Sequence, residues 1–193
     1  PFFIDMKRQK EILKIGAPVA MQYVFEVGAF AAASIIAGMI GPVEQAAHQV
    51  AITLAAMTYM MASGIASAAT IKTGQNFGKA NYMRVERFAT VSYHTVLVFM
   101  IICATVFALL NTQLPYMISD DPAVIQLAAH LLIIAGLFQL FDGTQVVGLG
   151  VLRGIGDVNI PTLITFVAYW IIGIPTAYLI GIHYDMGVKG IWY

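Results

Sequence analysis

Five long apolar stretches constrain this chain more than anything else in it: Ile15–Ile40, Ala47–Ile71, Phe88–Leu110, Ala123–Leu152 and Ile160–Ile182. Each exceeds the about 20 residues that a helix rising about 1.5 Å per residue needs to cross about 30 Å of hydrocarbon. A sixth span begins at Gly187. Membrane strands do not fit, because they are about 9–11 residues of alternating polarity, and runs such as Ala-Ala-Ala-Ser-Ile-Ile-Ala-Gly lack that period. In lipid every backbone amide must find its partner within its own segment, which leaves helices. The expected fold is therefore all-α and transmembrane: a helical bundle of five complete spans plus the start of a sixth.

Charge agrees. Of 193 residues, 60% are hydrophobic and 10% charged, where a soluble domain carries about a quarter. The ten basic and ten acidic residues cancel, so no overall field exists to collect nucleic acid. The single cysteine, Cys103, excludes an intrachain disulfide and a cysteine metal cluster.

Turn residues mark the boundaries. Gly41-Pro42 ends the first run, Asp120-Asp121-Pro122 reads as an N-cap followed by proline in the first turn, and Asn159-Ile160-Pro161 repeats that signal. Pro175, two residues after Gly173, lies inside the fifth run and is expected to kink it.

Nine basic residues fall on one side of this topology: Lys7, Arg8, Lys10 and Lys14 before the first span, Lys72, Lys79, Arg84 and Arg87 between the second and third, and Arg153 between the fourth and fifth. Only Lys189 falls on the other side. The positive-inside rule then puts the N-terminus in the cytoplasm, as expected of a multi-pass protein of a plasma or inner membrane. Residues 1–14 form a cytoplasmic approach segment, either a short amphipathic helix over Ile4–Lys14 along the membrane face or a plain charged linker. Residues 15–193 form the bundle. A start at Pro1 without methionine, and an end at Tyr193 as another apolar run begins, read as the cut ends of a longer protein.

Two carboxylates lie inside spans. Glu26 is about eleven residues into the first, hence about 16 Å deep; Asp142 is about ten residues from the inner end of the fourth, hence about 15 Å deep. A mid-membrane acid costs at least about 2.5–3.5 kcal/mol on insertion scales, so it faces a polar cavity or the bundle interior. Two acids at one depth, with no intramembrane Lys or Arg, call for an exchangeable counter-ion: H⁺, or a metal cation such as Na⁺ held by Glu26 and Asp142. The alternative is a pair of protonated carboxyls that merely bond helices together.

Neighbours enlarge the candidate cavity. Gln22 precedes Glu26 by one turn, and Gln139 and Gln145 lie three residues either side of Asp142. Tyr59 falls at about 18 Å, in the same layer, where its phenol can donate to a carboxylate or ligate a cation. Phe138, Phe141 and Met57 are candidates for an apolar lining around an organic cation.

Other features carry less. The glycines from Gly148 to Gly156 resemble a dinucleotide loop, but they close a long apolar helix instead of following a strand. They read better as close helix packing through Gly150-x-x-x-Gly154 and a tight turn in which Arg153 and Asp157 cap helix ends or pair with each other. The four histidines form no metal-ligand spacing; His48, near the outer end of the second span, has the best case for a polar role. No nucleophile elbow, phosphate cradle or organic-cofactor motif appears, and the chain does not read as an enzyme.

Several phrases together carry a family resemblance. Val-Phe-Glu26-Val-Gly-Ala-Phe, Ala46-Ala47-His48-Gln49, Leu-Phe-Asp142-Gly-Thr-Gln, Leu152-Arg153-Gly154-Ile-Gly-Asp157 and Tyr169-Trp170-Ile-Ile-Gly173-Ile-Pro175, in this order, look like the C-terminal half of a multidrug and toxic compound extrusion (MATE) transporter of the NorM-like branch. The resemblance covers nearly all of the chain. It implies one six-helix lobe of a twelve-helix antiporter that expels organic cations and drugs by alternating access in exchange for Na⁺ or H⁺. It also implies that Glu26 and Asp142, with Tyr59, form the cation site, and that the partner of this lobe is a missing N-terminal lobe. The other readings are a non-transporting membrane scaffold, a half-size pairing module, or a lipid or oligosaccharide flippase of the same superfamily; the acids weigh against a flippase for anionic cargo.

Overall fold

The structure, a computed structural model, describes residues 5–192. All of its regular elements are helical: α1 Met6–Ile40, α2 Pro42–Phe77, α3 Tyr82–Leu109, α4 Pro122–Ile155, α5 Asn159–His183 and a short α6 Gly187–Trp192. The first five are long and apolar enough to span a membrane. A 3₁₀ turn at Leu114–Met117 joins α3 to α4.

The helices outrun the apolar runs because nothing stops them at the hydrocarbon boundary. Asp5 caps α1 through its carboxylate, which accepts from Lys7 N at 3.0 Å, so the basic segment 6–14 is the first part of α1. It is neither a separate in-plane helix nor a linker; Ile4 lies outside the described residues. Gly41, extended at φ 175°, breaks α1 from α2, and Pro42 follows at the first helical position. At α4 the sequence signal holds: Asp121 caps, accepting from Ala123 N at 2.9 Å, and Gly156 closes the helix in the left-handed region at φ 84°. The parallel signal at Asn159 does not hold. Val158 takes the cap position without a side-chain bond, and Asn159 is already helical.

Two packing units result. Helices α2, α3 and α4 form a block with α2 against α4 as its main seam, while α1 lies along α2 on one side and α5 on the other. Small residues set the seam. A Cβ added to Gly150 would meet Ala66 O at 2.6 Å, and one added to Gly154 would meet Thr70 O at 2.7 Å. Thr70 Oγ1 also donates to Gly150 O at 2.7 Å. The Gly150-x-x-x-Gly154 packing read from the sequence is therefore real, with α2 as its partner.

Apolar burial divides along the bundle axis. One cluster, at the Gly41 end, gathers Ala47, Ala51, Leu54, Phe107, Ala128, Leu131, Leu132 and Ala135. The other, at the Gly154 end, gathers Ala62, Ala66, Ala69, Val96, Met100, Val146 and Val147. Between them on α2 and α4 lies the layer that holds Tyr59, Gln139 and Asp142.

Helix α5 joins α1 through aromatics: Phe25 and Phe166 rings sit 4.9 Å apart, and Trp170 Nε1 donates to Phe25 O at 3.0 Å. Around Pro175 the helix widens into π-helical turns, Val167–Gly173 before it and Leu179–His183 after it. Proline cannot donate to the carbonyl one turn back, and Ile174 N reaches back five residues to Tyr169 O. The disturbance expected at Pro175 thus takes the form of widened turns on both sides.

Candidate functional site

Glu26, Asp142 and Tyr59 come from three helices and line one cavity of about 200 Å³ between the packing units. Glu26 is 5% exposed and Asp142 6%. The Tyr59 hydroxyl stands beside Glu26, and the two carboxylates are close enough to feel each other's charge. The depth matching read from the sequence thus corresponds to real proximity. Neither acid is in an ion pair: among the described residues the one ion pair is Arg8 with Asp5, at the far end of α1. Two carboxylates and a phenol offer hard oxygen donors of the kind that hold alkali cations or protons. Among the described residues no cluster of three or more His, Cys, Asp or Glu exists.

The rest of the lining was only partly legible. Phe138 is there, but Tyr23, Val27, Phe30, Ile52, Ala55 and Ala56 complete the wall. Tyr23, Val27 and Phe30 stand at i, i+4 and i+7 on the face of α1 that carries Glu26, a spacing that would have found them. Phe141 and Met57 do not line the cavity; they are 75% and 61% exposed. Adjacent residues on a helix point about 100° apart, so an inward Asp142 turns Phe141 away, and an inward Tyr59 does the same to Met57 two residues earlier.

The three glutamines also part company. Gln22 is buried in a clamp below the cavity: its Nε2 donates to Thr162 Oγ1 at 3.0 Å and Val158 O at 3.3 Å. Its Oε1 accepts from Arg153 Nη2 at 3.0 Å. Gln139 is buried in the α2–α4 seam, where its Oε1 accepts from the Thr58 hydroxyl. Gln145 is exposed and donates to the Tyr169 hydroxyl at 3.2 Å, outside the carboxylate cavity.

Arg153 does not pair with Asp157. It reaches across to α1, donating through Nη1 to the Tyr23 hydroxyl at 3.0 Å with its guanidinium 4.9 Å from the centre of that ring. Its charge lies near Glu26 without a direct bond. Asp157 contributes its backbone N–H to Leu152 O at 3.0 Å, closing the turn. His48 is 2% exposed, and its Nδ1 accepts from Trp192 Nε1 at 3.1 Å. The sequence marked His48 as polar but did not identify this partner.

With this geometry in place, comparison with known proteins is decisive about kinship. The MatE family model matches residues 18–179. The chain belongs to the MatE family. As a family member it is 37% identical over 187 residues to the multidrug resistance protein MdtK of Photorhabdus laumondii subsp. laumondii, covering 95% of this chain and 41% of that protein. It is 36% identical over 196 residues to the multidrug resistance protein NorM of Aliivibrio fischeri, covering 96% and 42%. It is 34% identical over 189 residues to the probable multidrug resistance protein NorM of Pseudomonas putida, covering 95% and 41%. The MatE chain thus spans about two fifths of the length of these relatives, as 41% coverage states.

Two solved structures share its fold. The eukaryotic MATE transporter AtDTX14 superposes with a TM-score of 0.91 at 21% identity, over 98% of this chain and 44% of that one. A MOP superfamily transporter from Pyrococcus furiosus superposes at 0.83 and 17% identity, over 94% and 40%. The MatE protein is accordingly an integral multi-pass membrane protein whose relatives are transporters rather than enzymes.

Proposed function

We propose that this MatE chain is the C-terminal lobe of a multidrug efflux antiporter, in which Glu26 and Asp142, assisted by Tyr59, bind the coupling cation, Na⁺ or H⁺. The observation that carries the reading is the convergence of two unpaired carboxylates and a phenol on one buried cavity between the packing units. The names of the relatives support drug efflux as the activity. On this reading the partner is an N-terminal lobe, the cargo is organic cations or drugs, and the basic residues face the cytoplasm.

The mechanism follows from which unit carries which acid. Glu26 rides on α1, while Asp142 and Tyr59 belong to the α2–α3–α4 block. Empty and charged, the two acids repel and favour separation of α1 from the block. A bound cation bridges them and favours approach. Loading therefore shifts the balance between two arrangements of α1, and a cleft walled by α1 opens to one side or the other. The cation and an organic cation draw on the same negative charge, so each weakens binding of the other, which is what exchange requires.

The test is Glu26→Gln and Asp142→Asn in the full-length protein, with efflux and its Na⁺ and pH dependence measured in proteoliposomes. Each single variant should lower cation affinity about 10- to 100-fold, the size expected for loss of a charge-assisted bond. Efflux with its ion dependence intact in both variants would remove the site from these residues.

A further inference from the structure

Below the carboxylate cavity sits a positive charge for which the cation site has no direct use. Arg153, near the end of α4, commits both terminal nitrogens to α1: Nη2 donates to Gln22 Oε1 and Nη1 to the Tyr23 hydroxyl, each at 3.0 Å. Gln22 stands one turn before Glu26, and Tyr23 lines the cavity with it, so the guanidinium is held on the face of α1 that carries Glu26. Gln22 is fixed from its other side by Thr162 Oγ1 and Val158 O. The head therefore has one position, set by α1, α4 and the start of α5. No carboxylate pairs with it, since the one ion pair among the described residues is Arg8 with Asp5. Its Nε is buried and has no partner among the described residues. A clamp that only joined helices would be more stable built from neutral amides and hydroxyls, because a buried charge without a counter-ion is among the costliest groups a fold can hold. The charge itself calls for a role.

We infer that Arg153 is a positioning residue that limits the affinity of the cation site, its guanidinium being fixed one turn below Glu26 so that it repels a cation seated there. The inference rests on the reading of Glu26 and Asp142 as that seat. Two carboxylates in a medium of low dielectric attract a cation strongly, and a site that exchanges its ion must also let it go. A fixed positive charge on one side of the seat weakens the hold without occupying the cavity. One helical turn plus a side chain puts the two charges on the order of 10 Å apart, where at an effective dielectric of about 20 the repulsion changes affinity about tenfold.

The experiment measures binding of radioactive sodium and, by calorimetry, of tetramethylammonium to the full-length protein in nanodiscs, at one pH and one ionic strength. The second probe reads the same negative charge whichever ion is coupled. Arg153→Gln, which removes the charge and keeps an amide to bond α1, should raise affinity for the cation about tenfold. Arg153→Lys should stay within about threefold of the unmodified protein, because its ammonium keeps the charge though not the fork. A purely structural clamp gives the opposite sign, since loosening α1 disperses the two acids and weakens binding.

Lower or unchanged affinity in Arg153→Gln, or an equal rise in Arg153→Lys, would overturn the inference and leave the carboxylate reading intact. If neither probe binds the unmodified protein, or Glu26→Gln leaves their binding unchanged, the carboxylate reading falls and the inference with it. Should Arg153→Gln fail to fold, the guanidinium ¹⁵N resonances of Arg153 in the unmodified protein decide the matter: a shift on adding tetramethylammonium supports the inference, and no shift overturns it.

Discussion

On the proposed reading, the Tyr59 phenol gives a bound cation a third oxygen without adding charge, and that sets its role apart from those proposed for Glu26 and Asp142. Tyr59→Phe removes the donor and keeps the ring, so it should weaken binding of radioactive sodium, or proton uptake in a proton-coupled lobe, about 3- to 10-fold. Removing either carboxylate should cost more. Arg153 acts differently, since it bonds Gln22 and Tyr23 and neither carboxylate. Its planar fork bonds one while lying over the ring of the other, a combination an ammonium does not reproduce. Arg153→Lys should therefore lower thermal stability in detergent by about 1–2 kcal/mol, read as a shift in unfolding midpoint.

At the scale of elements, the α2–α4 seam depends on the absence of side chains. Gly150→Leu would drive a branched chain into the Ala66 carbonyl, and overpacking of this kind costs about 1–3 kcal/mol. Gly64, on the same α2 but with open space where a Cβ would sit, makes the control: Gly64→Ala should be neutral or stabilise by up to about 1 kcal/mol through backbone entropy. Thermal unfolding of the two variants side by side separates packing from helix propensity. In α5, Pro175→Ala returns an amide to the ladder. The π-helical turns at Val167–Gly173 and Leu179–His183 should then tighten, seen as slower hydrogen exchange there.

For the whole molecule, the division into an α2–α3–α4 block and an α1–α5 pair places one acid on each unit, so on the proposed reading cation loading would act on the contact between them. The orientation proposed from the basic residues assigns sides to the loops. In a Cys103→Ser background, cysteines at Lys79 and at Ser119 should be modified by an impermeant reagent from opposite faces of the membrane, with Lys79 protected in intact cells and Ser119 labelled. Labelling of Lys79 from outside would reverse the orientation inferred from the basic residues.

The five spans, the caps at Asp121 and Gly156, the glycine seam and the matching depth of Glu26 and Asp142 were all determined by local chemistry. Apolar length, turn residues and rise per residue act within one helix and can be read along it. Depth along a helix axis is a linear coordinate, which is why counting residues brought three side chains to one layer. Azimuth is not linear, and it depends on which neighbour a helix packs against. Only the tertiary structure turned Phe141 and Met57 outward, brought Ile52 and Ala56 into the wall, sent Arg153 to α1 instead of Asp157, and set Trp192 against His48. Each of those contacts joins residues far apart in the chain, so packing decided them, and with them the shape of the cavity in which the two acids meet.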